Sequence, residues 1–125
     1  MNGDKVLLDT NAIFYLLRGE TSFLSTIQGK DIIISIISEI ELLSSNQINN
    51  TDAKAIQKFL DKCLILDIFP AIKENAIFLR KKYRIKLPDA IIASTAFTLD
   101  LPFITADKKL FAINELEIIK ISATK

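Results

Sequence analysis

With 125 residues, half of them hydrophobic, the chain is long enough for one filled core and too apolar for disorder. Histidine is absent and Cys63 is the single cysteine, which excludes Ser-His-Asp and Cys-His nucleophiles, histidine- or multi-cysteine-ligated zinc, and an internal disulfide. A net charge of +1 advertises no polyanionic partner, so any such partner has to be argued from a local patch.

In order along the chain, the pattern reads as strand 5–9, helices 11–17 and 21–28, strand 31–35, helices 36–46 and 52–63, strand 65–68, helices 71–83 and 88–99, strand 103–106, a short helical turn at 108–111 and strand 117–121. The helix at 71–83 rests on spacing: Ile72, Ala76, Leu79 and Tyr83 share one face, and Pro70 stands where a helix can begin. The strands read as near-continuous apolar runs ("VLL", "IIIS", "LILDI", "FIT"), the mark of strands covered on both faces. The expected fold is α/β: one domain over residues 1–125, with a central parallel sheet between two layers of helices and right-handed crossovers. No apolar run reaches the ~18 residues of a membrane span. The stretch MNGDKVLLDTNA carries charge beside its apolar run and lacks a small-residue cleavage site, which argues against a secretory leader and for the cytoplasm.

In open parallel sheets, ligands bind beyond the carboxyl ends of the strands. Asp9 and Asp107 close the first and fourth strands, Asp89 opens the helix at 88–99, and the helix after the second strand carries Glu39 and Glu41. Each has an ordinary structural reading. Asp9, Thr10 and Asn11 are good helix N-caps, Asp89 suits a first helical turn behind Pro88, and Asp107 suits the start of the turn at 108–111. Glu41 shares its helix edge with Ser38 and Ser45, and helix geometry does not separate it from Glu39. The combination says more. Several carboxylates at one end of a sheet repel one another, and a hard divalent cation relieves that repulsion. Oxygen donors without histidine suit Mg²⁺ or Mn²⁺, whose bound water can attack phosphorus. Thr10, Asn11, Ser35, Ser38 and Thr105 are neutral groups able to orient such a shell.

"LLDTNAIFYLL", "ISIISEIELL", "LPDAIIASTA" and "PFITADKKLF" resemble, in order and spacing, the four motif regions of PIN-domain ribonucleases, and most closely the short VapC-type toxins of type II toxin–antitoxin systems. The resemblance runs from Lys5 to Ile121 and, through Ser35, Ser38, Glu41 and Leu42, selects Glu41 over Glu39. It implies an endoribonuclease dependent on Mg²⁺ or Mn²⁺, with Asp9, Glu41, Asp89 and Asp107 as catalytic metal ligands and products bearing a 5′-phosphate and a 3′-hydroxyl. It also implies a homodimer held by a cognate antitoxin. The fourth motif departs from the family pattern, because Lys108 to Phe111 supplies no second acid.

"RKKYRIK" places Arg80, Lys81, Lys82, Arg84 and Lys86 just before Asp89. Basic residues in a last turn complement the helix dipole, and beside a metal site they also suit phosphate contact with RNA. Phe14, Leu17, Phe23, Leu24, Leu42 and Leu43 have core-type spacing. Two other acidic-site families fit poorly. A haloacid-dehalogenase-like phosphatase needs an acid where Asn11 stands, and a receiver domain needs an acidic pair that Asp4 and Asp9 are too far apart to make. The competing reading is a catalytically inactive PIN-fold module that binds RNA or a partner; loss of an acidic residue would be its mark, and all four are present.

Overall fold

The computed structural model describes residues 4–19, 24–46 and 50–122. Five strands, β1 (Lys5–Leu8), β2 (Asp31–Ser35), β3 (Leu64–Leu66), β4 (Phe103–Thr105) and β5 (Ile118–Lys120), form one parallel sheet in the order β3-β2-β1-β4-β5. β1 is central, and Val6, Leu7 and Leu8 are all fully buried. Alternation along the strands divides the interior in two. Leu7, Ile33 and Phe103 pack with Ala76, Leu79 and Ala93 on one face, which belongs to helices α5 (Pro70–Tyr83) and α6 (Leu87–Leu99). Val6, Leu8, Ile34 and Ile104 pack with Ile13, Leu42 and Leu60 on the other. That second face belongs to α1 (Thr10–Leu17), α2 (Leu24–Ile27), α3 (Ile36–Leu43) and α4 (Asn50–Asp61). The expected three-layer α/β architecture is therefore the observed one.

Element ends differ where local chemistry intervenes. α3 stops at Leu43 rather than at 46: both the backbone N–H (3.0 Å) and the hydroxyl (2.6 Å) of Ser44 donate to the Ile40 carbonyl and close the last turn. β3 ends at Leu66 because the Asp67 carboxylate accepts the Ile68 N–H at 2.7 Å, and the residue before Pro70 is held extended. The helix expected at 21–28 covers Leu24–Ile27, and its first residues, with Phe23, lie outside the described residues. Leu42 is buried as expected, whereas Leu43 is 53% and Leu24 41% exposed, so neither belongs to the core.

Sheet order positions the site. Chain order runs outward from β1 to β3, then returns to the other side of β1 for β4 and β5. The direction switches between β1 and β4, and a crevice opens at the carboxyl ends of such a pair. The ladder extends one residue past β1, with Asp9 N–H donating to the Ile104 carbonyl at 3.1 Å.

Candidate active site

Asp9 sits at that crevice as the N-cap of α1. Its Oδ1 accepts the Ala12 N–H at 2.8 Å, and its Oδ2 accepts the Thr105 hydroxyl. The Thr105 oxygen in turn accepts the Asp107 N–H at 3.0 Å, so its single proton is directed to Asp9. Burial, at 6% exposure, pushes the Asp9 carboxyl up to about 6, with Asp89 and Asp107 adding repulsion; the two hydrogen bonds pull it back only in part. Asp9 thus caps a helix and faces a pocket at once.

Glu41 reaches the same pocket from α3. The Thr10 hydroxyl donates to Glu41 Oε1 at 2.5 Å and stands 2.9 Å from the buried Ser38 hydroxyl. Because the Thr10 proton is engaged with Glu41, Ser38 is the donor to Thr10. Asp89, in the first turn of α6, is half-buried. Burial raises its pKa first, then repulsion by Asp107 and Glu41, while Lys86 and Lys109 pull it down. Asp107 caps the 3₁₀ turn Lys108–Ala112 by accepting the Lys109 N–H at 3.0 Å.

The four carboxylates line one polar pocket of about 250 Å³ together with Thr10 and Asn11, both expected, and Phe14, Ser45 and Ile92, which were not assigned to the site. Phe14 and Ile92 sat in apolar runs that read as core. Ser45, read from its spacing as sharing the Glu41 helix edge, lies two positions past the end of α3 and still lines the pocket. Glu39, in the first turn of α3, is not in the lining, and Glu41 is. Ser35 is buried and caps α3 by accepting the Ile37 N–H at 3.0 Å, so it shapes the helix that carries Glu41 without lining the pocket.

The basic stretch also makes contacts within the chain. Arg80 Nε donates to the Ile85 carbonyl at 3.2 Å, and Lys82 Nζ pairs with Glu115 at 2.6 Å. The Tyr83 hydroxyl also donates to Glu115 at 2.6 Å while its ring packs on the core. Lys82 thus has Glu115 as a partner within the chain, with its side chain still half exposed. Lys86 and Lys109 are the cations felt by Asp89.

The donor set suits a hard cation: carboxylates and neutral oxygens with no softer ligand. Among the described residues no three carboxylates converge closely enough to hold an ion by themselves. Mg²⁺ keeps several waters and takes one or two carboxylates directly, and a pocket of about 250 Å³ has room for such a hydrated ion.

The class defined by this fold and pocket is a doubly wound parallel α/β domain with an acidic centre at its switch point. Residues 6–116 match the family model of the PIN domain, and the chain belongs to that family. Among solved structures, the chain is similar to one in a toxin–antitoxin complex from Klebsiella pneumoniae, with 27% identity and a TM-score of 0.78 over 92% of this chain and 96% of that one. It also resembles a chain of VapBC2 from Rickettsia felis, bound there to a fragment of its promoter DNA (21%, TM-score 0.82, 94% and 99% covered). A third likeness is to VapBC-1 from nontypeable Haemophilus influenzae (23%, TM-score 0.75, 93% and 97% covered). At these last two identities the likeness is one of fold. No curated protein matches the sequence.

Proposed function

We propose that this chain is an endoribonuclease dependent on Mg²⁺ or Mn²⁺, and the toxin of a toxin–antitoxin pair. The observation that carries the reading is the convergence of Asp9, Glu41, Asp89 and Asp107, from four separate elements, on one pocket at the switch between β1 and β4. These four residues would hold the cation or cations. A divalent ion bound there supplies neutralisation of the carboxylates, Lewis acidity toward a phosphoryl oxygen and an activated water for attack on phosphorus.

The chain's own groups do the positioning. Thr105 and the Ala12 N–H fix both oxygens of Asp9, and the Ser38–Thr10 relay fixes Glu41. Lys86 and Lys109, beside Asp89, would receive the RNA phosphates and offset the acidic floor. The expected products carry a 5′-phosphate and a 3′-hydroxyl.

Similarity to a chain in a toxin–antitoxin complex supports the toxin role and a cognate antitoxin. A homodimer and a cytoplasmic setting belong to the same proposal. Among the described residues no helix is long and apolar enough to cross a membrane.

The lack of a ready-made three-carboxylate cage favours one other reading, an inactive PIN-fold module that binds RNA or a partner. Incubating purified protein with single-stranded RNA in Mg²⁺, Mn²⁺ or EDTA separates the two. The nuclease reading requires cutting only with metal, and 5′-phosphate ends. Binding without cutting in either metal establishes the module instead.

A further inference from the structure

We propose that Phe14 and Arg18, one helical turn apart on α1, form a platform that binds the RNA nucleotide next to the scissile phosphate. The proposal rests on the ribonuclease reading of the pocket and names two substrate contacts within it.

Phe14 is a wall of the acidic pocket, and its inner side packs against the core beneath α1. Arg18, the exposed C-cap of α1, holds its guanidinium carbon 5.5 Å from the centre of the Phe14 ring. From Asn11 at the pocket to Arg18, the helix rises ~10 Å. The Arg18 guanidinium therefore lies over a wall of the pocket, and Lys86 and Lys109 are the cations that act on Asp89 in the same lining. Two cations of the 80–86 stretch, Arg80 and Lys82, are engaged by the chain's own oxygens.

A polyanion lying across four carboxylates is held where neighbouring cations offset their repulsion. A strand seated on the four carboxylates meets the Phe14 wall, over which Arg18 lies. The outer plane of the Arg18 guanidinium accepts a stacked base with the Phe14 ring behind it, and the guanidinium edge donates to phosphate oxygens. Every base presents a π-face, so this platform positions RNA without reading its sequence.

The test is steady-state cleavage of a fluorescein-labelled, mixed-sequence single-stranded RNA with Mn²⁺ at several salt concentrations. It compares wild type with Phe14→Leu, Arg18→Gln and Arg18→Lys, and with Lys58→Gln on α4 as a matched loss of charge. Phe14→Leu keeps an apolar side chain against the core, and thermal melting confirms that each variant is folded. Phe14→Leu and Arg18→Gln are expected to raise KM about tenfold with kcat within about twofold. Arg18→Gln should also lower the salt slope of log KM by about 0.7, and Arg18→Lys should keep that slope. A wild-type KM in either Phe14→Leu or Arg18→Gln, a loss confined to kcat, or an equal rise in KM for Lys58→Gln overturns the platform and leaves the pocket reading standing. If wild type itself makes no metal-dependent cuts, both readings fall together.

Discussion

At the scale of the residue, Asp9 carries opposed demands. Its ordinary carboxylate value of 3.8 is raised to about 6 in the fold, chiefly by burial. A raised carboxylate binds its proton more tightly when folded than when unfolded. The stability it contributes is therefore complete below about pH 4 and is lost as pH climbs to about 6, with a total change of about 3 kcal/mol. Asp9→Asn removes the charge and keeps an amide oxygen able to cap Ala12. In EDTA, urea denaturation should show this variant gaining on wild type by up to about 3 kcal/mol between about pH 4 and about pH 7. A constant difference across that range contradicts the raised Asp9 carboxyl. Thr105 belongs to the same account: its hydroxyl joins Asp9 to the Asp107 backbone, so Thr105→Val should lower metal affinity or cleavage by about 10–100-fold. Thr105→Ser should restore most of it, as measured by Mn²⁺ titration alongside kcat/KM.

At the scale of the element, Asp9 and Asp107 stand just past strand ends and cap the turns that follow, so cap and site coincide there. Glu41 comes from α3, which leaves β2, and Asp89 from the first turn of α6. The DTN triplet was legible both as a cap and as a candidate ligand; Asp9 is the cap of α1, and the same side chain lines the pocket. Glu41 and Glu39 were not separable from helical spacing, because the choice depends on how α3 leaves β2. The pairing of Lys82 and Tyr83 with Glu115 was not legible at all: it joins α5 to the turn before β5 across more than thirty positions of sequence. Elsewhere α5 accepts a local cost. Arg84, its C-cap, adopts the left-handed region at φ 54°, donating its N–H to the Arg80 carbonyl at 2.9 Å. Glycine is at ease there, so Arg84→Gly should raise the unfolding free energy by up to ~1 kcal/mol, as read by urea denaturation. A loss of stability would mean that the Arg84 side chain contributes more than its backbone strain costs.

At the scale of the whole molecule, the strands were the most legible part, since a strand buried on both faces shows an unbroken apolar run. Sheet order was less so: placing β4 beside β1 creates the crevice, and only three-dimensional packing brings Asp107 to Asp9. The apolar content that marked the fold class also exceeds what the two cores take up. Ile40, Leu43, Leu64 and Leu87 are each more than half exposed. Surface of this kind suits association, and sedimentation equilibrium is expected to give about twice the chain mass of 14.0 kDa. A monomer at all concentrations would remove the homodimer from the proposed function.

The central claim is that the four carboxylates act together on a divalent cation. Its most direct test is a Mn²⁺ titration of the purified chain without RNA, with free ion followed by electron paramagnetic resonance, for wild type, Asp9→Asn, Glu41→Gln, Asp89→Asn and Asp107→Asn. Wild type should bind Mn²⁺, and Asp9→Asn and Asp89→Asn should each weaken binding about tenfold or more. Equal affinity in wild type and all four variants, or no binding by wild type, would contradict it.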